Sequence, residues 1–229
     1  MVIEQICKHK MMVSDEEKRW LVVGIAMNKV AAPVLRDFIK QEMDSHYANN
    51  TYCHGVTTPC ALNTLTYRQV NADPNLKRLK FQNINNNRDN HGNHKNLYNY
   101  NVNSSLDLAK LFLPDYLAEF SGFDDSLDMS AILRLLGCNN PAPIFLSPNP
   151  MMSIQLAADD VRENVRNKWG HCNVSDWSEV LFNNCFSKLE ILLRSLGLTG
   201  SLHKTTLDQL SDWQTKGTYE RIDFTLSLF

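Results

Sequence analysis

Apolar residues recur at helical spacing along most of the chain, beginning in its first quarter. A first series follows Ser14, a predicted N-cap with Glu17 three residues on. Its apolar positions are Trp20, Val23, Met27, Val30, Val34 and Phe38. Pro33 lies inside this series, and proline removes a helical hydrogen bond. The pattern therefore predicts one long core-facing helix with a kink or a break near Ala32.

Two further helical series occupy the middle of the chain. The first is expected to start at Ser105 and to present Leu108, Leu111, Phe112, Tyr116 and Phe120 on one face. The second is expected over roughly residues 126–136, where Gly137 ends it. Four prolines then mark an irregular segment that leads to the next helix: Pro141, Pro143, Pro148 and Pro150.

The strongest periodicity predicts a pair of helices joined by a tight turn. The apolar stripe of the first helix is Ile154, Ala157, Ala158, Val161, Val165 and Trp169, and Gly170 is its predicted end. The second is predicted to start at Ser175 or Asp176, with Glu179 completing a capping box, and its apolar residues continue to Leu196. His171 lies in the turn, and Arg166 lies about one helical turn before it. We expect both side chains to point into one concavity if the helices pack antiparallel.

The segment from Phe81 to Asn103 breaks this regularity, because asparagine dominates it and apolar residues are few. Such a composition is not expected to pack a core, and the segment is therefore predicted to be a long, flexible surface insertion. Beyond Leu198 a short helix is expected at about 205–216, followed by an extended tail. The predicted organisation is a tail over residues 1–13, a helical domain over 14–198 with its insertion at 81–103, and a C-terminal helix and tail over 199–229.

Composition and net charge limit the partners and the cellular compartment that we expect for this protein. The 229 residues carry a net charge of −2, so any contact with RNA has to be local, and the basic cluster Arg162, Arg166 and Lys168 is the candidate surface. The longest apolar run near the start, residues 21–27, is too short to span a bilayer, so no membrane anchor is expected. The six cysteines are typical of reduced thiols in a cytoplasmic protein.

The stretch Arg166-Asn167-Lys168-Trp169-Gly170-His171 and its flanking helices resemble the HEPN superfamily of all-helical domains. That family's hallmark is an arginine, usually followed by a polar residue, then a short spacer and a histidine. The flanking text over residues 161–198, 16–39 and 108–136 is most similar to the branch that includes the helical domain of the DAZ-interacting zinc-finger ubiquitin ligase. The resemblance extends from about Glu16 to Leu198 and implies an all-α, HEPN-like helical bundle with the asparagine-rich loop as an insertion.

The resemblance implies a metal-independent endoribonuclease that leaves 2′,3′-cyclic phosphate ends. His171 would take the proton of a ribose 2′-hydroxyl, and imidazole suits this role because it titrates near neutrality. Arg166 would stabilise charge on the phosphate, which its planar donor fork fits. Asn167 would orient them, and Glu163, one turn ahead of Arg166, would pair with that arginine. A homodimer in which both motifs line one cleft is the implied active unit.

Other interpretations of the same residues remain open. Arg166 and Glu163 are also typical of a solvated helix face, Asn167 of a cap, and His171 of a turn that bonds its own backbone. The family resemblance likewise allows a non-catalytic module for RNA binding or dimerisation in an RNA-regulatory or innate-defence pathway. Trp177, at the start of the second helix, is the predicted interface residue.

A metal site or a cofactor is not expected. The cysteines and histidines available for a metal are Cys53, His54, Cys60, His91 and His94, whose spacing does not suit a compact zinc knuckle. The chain also lacks the ring-type array of cysteine and histidine pairs that ubiquitin ligases use. It contains no glycine-rich phosphate loop and no nucleophile elbow around a serine.

Overall fold

A computed structural model describes residues 13–48, 61–137, 151–171 and 173–219, with the backbone alone at 151–153 and 219. Over these ranges the chain forms helices and turns and no β-strand, which confirms the predicted all-α class for that part of the chain. The α-helices are α1 (Asp15–Ile25), α2 (Ala32–Ala48), α3 (Tyr67–Ala72), α4 (Asn87–His91), α5 (Ser105–Lys110), α6 (Met129–Leu136), α7 (Met151–Val161), α8 (Asn167–Gly170), α9 (Glu179–Ser195) and α10 (Gly200–Tyr219).

The N-terminal helices begin at the predicted cap. The Glu17 backbone N–H donates to the Ser14 hydroxyl at 3.1 Å, and the Ser14 N–H donates to the Glu17 carboxylate at 2.8 Å. Of the kink or break predicted near Ala32, the break is wrong, because a π-helical turn over Ala26–Ala31 joins α1 to α2 without a non-helical residue; the winding changes from π to α at Ala32. The Ala32 N–H donates to the carbonyl of Met27, five residues back. The chain thereby stays helical although proline contributes no donor.

The core lies between α1, α7, α9 and α10, with α6 packed on α7 and on α2. Its largest fully buried side chains include Trp177, Phe182, Phe186, Met27 and Leu35. The predicted C-terminal helix is present as α10 and is longer than predicted, and it packs against α1 and α9. The predicted extended tail and most of the N-terminal tail lie outside the described residues. Among the described residues, none of the helices is both long enough and apolar enough to cross a membrane.

The asparagine-rich segment, residues 81–103, is part of this packing, so the prediction that it contributes nothing to the core is wrong. Its apolar side chains Phe81, Ile84, Tyr100 and Val102 are buried, and it carries α4 and short 3₁₀ turns. The fully buried Asn87 holds the segment together. Its side-chain amide donates to the carbonyls of Phe81 and Asn99, each at 2.8 Å, and accepts from the Asn99 N–H at 2.8 Å.

Neighbouring asparagines also donate their side-chain amides to backbone carbonyls. Asn83 donates to the carbonyls of Lys110 and Leu113, each at 2.9 Å. Asn85 donates to the carbonyls of Asn99 and Asn101, at 3.1 and 2.7 Å. Asn85 and Asn86 both adopt left-handed backbone conformations, with φ of 53° and 54°, which asparagine tolerates better than most residues. The polar composition therefore supplies hydrogen bonds for a compact loop in place of regular helix.

Candidate functional site

The predicted motif lies where a helix changes its winding. α7 continues into a π-helical turn over Arg162–Arg166 and then into α8. The Asn167 N–H donates to the carbonyl of Arg162, five residues back, and the His171 N–H donates to the Asn167 carbonyl at 3.0 Å. Single π turns within helices are frequent at functional sites.

A cavity of about 440 Å³ opens beside this turn. The polar residues that line it come from the motif and from the turn after it: Glu163, Asn167, Lys168, His171, Asn173 and Asp176. Trp177 and Leu181 complete the lining with apolar surface. The structure thus brings five of the predicted site residues to one concavity, namely Glu163, Asn167, Lys168, His171 and Trp177.

Arg166 is not one of the residues that line this cavity, so the expectation that it shares the concavity with His171 is not met within the described part of one chain. Arg166 is half-buried, and its Nη1 donates to the side-chain oxygen of Asn167 at 3.3 Å. Asn167 therefore binds the arginine directly, while its own side chain also borders the cavity.

The predicted pair between Glu163 and Arg166 does not form. The Glu163 Oε1 lies 3.4 Å from Arg162 Nη2, and Arg162 Nη2 lies 3.2 Å from Asp159. A π turn holds more residues than an α turn, so positions three apart in it no longer stand one above the other. This winding explains why the predicted pair fails to form. Two carboxylates also neutralise Arg162, one of the three predicted RNA-binding cations.

Lys168 and His171 are both exposed at the cavity. Neither side chain makes a hydrogen bond to any residue that the structure describes. Of the three predicted cations, Lys168 is the one that borders the cavity. These two side chains are thus available to a ligand. A capping or purely structural role would instead have them bond to the chain itself.

A polar cluster behind the motif fixes α7 against α9. Lys188 of α9 donates to Asp160 of α7 at 2.6 Å, and Asn164 donates to the same carboxylate at 2.6 Å. Burial raises the pKa of Asp160, but these two hydrogen bonds outweigh it, so the pKa lies below its usual value. Burial raises the pKa of Cys185, whose thiol points toward the Asn164 carbonyl, to about 11. Cys185 is therefore a neutral core thiol and no nucleophile.

Trp177 is only 1% exposed, so the prediction that it forms an interface is wrong. The actual N-cap of α9 is Ser178, whose hydroxyl accepts from the Leu181 N–H at 3.3 Å. Trp177 therefore stands just before the cap, a position from which hydrophobic side chains fold back onto the first turns of the helix. The sequence interpretation placed the cap two or three residues too early and so assigned Trp177 to an interface.

Sequence reasoning missed Asn173 and Asp176 as residues of the cavity. Asn173 Nδ2 donates to Asp176 at 3.0 Å, and the Ser175 hydroxyl donates to Asn173 at 2.9 Å. The cluster of asparagine, serine and aspartate after His171 was a detectable signal, because such residues favour turns that bond locally.

A metal centre is not seen among the described residues, which bring no three histidine, cysteine or acidic side chains together. Of the five residues that the sequence offered for a metal, Cys53, His54 and Cys60 lie outside the described ranges. Comparison with known proteins adds no assignment, since no protein-family model, characterised protein or solved structure matches this chain.

Proposed function

We propose that this chain is an RNA-directed, HEPN-like domain and a metal-independent endoribonuclease of the cytoplasm. The observation that carries the proposal is the cavity that Asn167, Lys168 and His171 share, with the lysine and imidazole free of bonds to described residues. His171 acts as the base toward a ribose 2′-hydroxyl and then as the acid toward the leaving 5′-oxygen. Lys168 stabilises the charge that develops on the phosphate.

The charges around the cavity support an active unit of two copies rather than one. Glu163 and Asp176 border the same cavity as Lys168, so the carboxylates outnumber the lysine there. A phosphate bound in one copy alone would face net repulsion unless His171 is protonated. We propose that a homodimer brings two motifs to one cleft, where Arg166 of each copy adds the missing positive charge.

The test is incubation of the wild-type protein and the His171→Ala variant with a mixed, end-labelled RNA pool in EDTA. We expect cleavage that leaves 2′,3′-cyclic phosphate in the wild type and a loss of roughly 10²-fold to 10⁴-fold in the variant, as for removal of a general base. His94→Ala is the matched control, because His94 is also exposed and lies in the asparagine-rich segment away from the cavity. Equal cleavage by the wild type and His171→Ala would overturn the proposed role.

A second candidate function is RNA binding without cleavage, as an adaptor. The position of Arg166 outside the cavity favours it, because a catalytic arginine has to reach the phosphate. This function predicts that the wild type leaves the RNA pool intact but binds it in fluorescence anisotropy. Lys168→Ala would then weaken binding and reduce its dependence on salt. Binding that is unchanged by salt and by this substitution would refute the adaptor function.

A further inference from the structure

A reciprocal tryptophan pair joins α1 to α8, the helix that carries Trp169. The indole Nε1 of Trp20 in α1 donates to the Trp169 carbonyl at 3.1 Å, and the Trp169 indole donates to the Trp20 carbonyl at 3.1 Å. The two rings stack with centroids 5.6 Å apart and planes 12° apart. Each tryptophan thus satisfies a backbone group of the other helix while their faces are in contact.

Gly24 gives this pair its close approach. It lies one turn after Trp20 in the interior of α1, where glycine is unfavourable by roughly 1 kcal/mol relative to alanine. A Cβ at this position would lie 2.7 Å from the Trp169 Nε1, which is closer than real contacts allow. The absence of a side chain at Gly24 is therefore a requirement of the Trp169 ring position.

A second donor of α1 binds the other end of the motif turn. Arg19 Nη1 donates to the Trp177 carbonyl at 3.3 Å, while its neighbour Trp20 binds the Trp169 carbonyl. Between these two carbonyls lies the turn that carries His171, Asn173 and Asp176 to the cavity. Carbonyls at the end of a helix lack a helical donor, so a side-chain donor there fixes the direction in which the chain leaves.

We propose that Trp20 is a positioning residue for the site, acting through the carbonyl of Trp169 to hold Lys168 and His171 at the cavity. Lys168 and His171 flank Trp169 closely in sequence, so a shift of its carbonyl displaces both. The effect on RNA rests on the proposed function, whereas the effect on the turn itself does not. Trp20 touches neither the cavity nor a substrate there.

The experiment compares Trp20→Phe, which keeps an aromatic ring for stacking but removes the donor, with Trp213→Phe as the matched control. Trp213 is a half-buried tryptophan of α10 whose ring accepts a cation–π contact from Lys216, 4.9 Å from its centroid. Hydrogen exchange is followed at the His171 N–H, which donates to the Asn167 carbonyl. We expect exchange about fivefold to tenfold faster in Trp20→Phe, the effect of losing one hydrogen bond, and no change in Trp213→Phe.

RNA cleavage gives the second readout. We expect Trp20→Phe to lower kcat by tenfold or more with KM nearly unchanged, because a displaced base affects the reaction more than binding. A loss of global stability alone would not separate kcat from KM in this way. If the wild type does not cleave RNA, the proposed function fails, but the exchange measurement still decides whether Trp20 holds the turn.

Gly24→Ala provides the same test without touching Trp20. Alanine favours the helix but closes the space that Trp169 occupies, so the His171 N–H is expected to exchange faster here as well. This variant answers the question if Trp20→Phe does not fold. Unchanged exchange at His171 in the folded variants would overturn the positioning role.

Discussion

Two polar segments of this chain use their side chains in opposite ways. In the asparagine-rich segment, Asn85 and Asn87 donate to backbone carbonyls of the same segment, and Asn83 donates to the Lys110 carbonyl at the end of α5. In the motif, the ammonium group of Lys168 and the imidazole of His171 border a cavity and make no hydrogen bond to a described residue. From the sequence, the first segment was predicted to be a flexible surface insertion, and the second was predicted to be a catalytic or RNA-binding site.

The contrast shows that polar content does not by itself distinguish a mobile loop from a structured one. An amide that replaces a helical or strand partner stabilises the fold, because a buried carbonyl without a donor costs about 1 to 3 kcal/mol. An exposed lysine or imidazole without a partner contributes little to folding and is free to bind a ligand. Single substitutions of polar residues should therefore lower the free energy of unfolding in the asparagine-rich segment and leave it nearly unchanged in the motif.

The largest effect is expected at Asn87. Asn87→Ala removes three hydrogen bonds from a fully buried place and leaves the Asn99 N–H without a partner, while the Phe81 and Asn99 carbonyls keep bonds from the Ile84 N–H at 3.5 Å and from Asn85 at 3.1 Å. The free energy of unfolding should therefore fall by about 3 kcal/mol, roughly 1 kcal/mol for each lost bond. Urea unfolding followed by circular dichroism measures it. Asn90→Ala, an exposed position in the same short helix, should stay within about 0.5 kcal/mol of the wild type. Equal, small losses at both positions would mean that the segment does not support the fold.

A smaller loss is expected at Asn83. Asn83→Ala removes donors from the Lys110 and Leu113 carbonyls, but the side chain is half-buried and water can replace part of the bonding. We expect a decrease of about 1 to 2 kcal/mol in the free energy of unfolding. Asn93→Ala, at an exposed position, is its control. A loss as large as that of Asn87→Ala would show that burial is not what separates the two sites.

The sequence predicted what depends on local periodicity. The apolar spacing predicted α1, α2, α7 and α9, and the Ser14 cap forms as expected. The helix expected to continue from Ser105 to Phe120 instead ends at Lys110, and Tyr116 is exposed. The sequence could not predict the role of Asn87, because the carbonyl of Asn99 comes within reach only in the folded loop. Arg166 was misplaced because an α-helical period does not reveal a π turn. The direction of Trp177 depended on a cap whose position differs by two or three residues.

In α7, Asp160 is a polar residue with a structural role, and its contribution to stability should depend on pH. Its pKa is lowered in the folded chain, so the charged carboxylate stabilises the fold above the ordinary aspartate value of 3.8. This contribution is lost as the pH falls through and below that value. Because the side chain is 39% exposed, we expect Asp160→Asn to cost less than about 1 kcal/mol at pH 7 and almost nothing at pH 2.

Thermal unfolding of Asp160→Asn and the wild type between pH 2 and 7 checks this expectation. Asp208→Asn, at an exposed position of α10, is the control and should change stability by less than about 0.5 kcal/mol at any pH. A difference between Asp160→Asn and the wild type that grows as the pH falls would contradict the lowered pKa.

The smallest effect is expected at the two basic residues that line the cavity, Lys168 and His171. Lys168→Ala and His171→Ala should each leave the free energy of unfolding within about 0.5 kcal/mol of the wild type, because neither side chain is buried or bonded to a described residue. The same urea measurement checks it beside Asn87→Ala. A loss above about 1 kcal/mol at His171 would place its imidazole among the structural groups, as in the asparagine-rich segment. If neither substitution changes the free energy of unfolding, in contrast, the lysine and the imidazole do not serve the fold and are free to bind a ligand in the cavity.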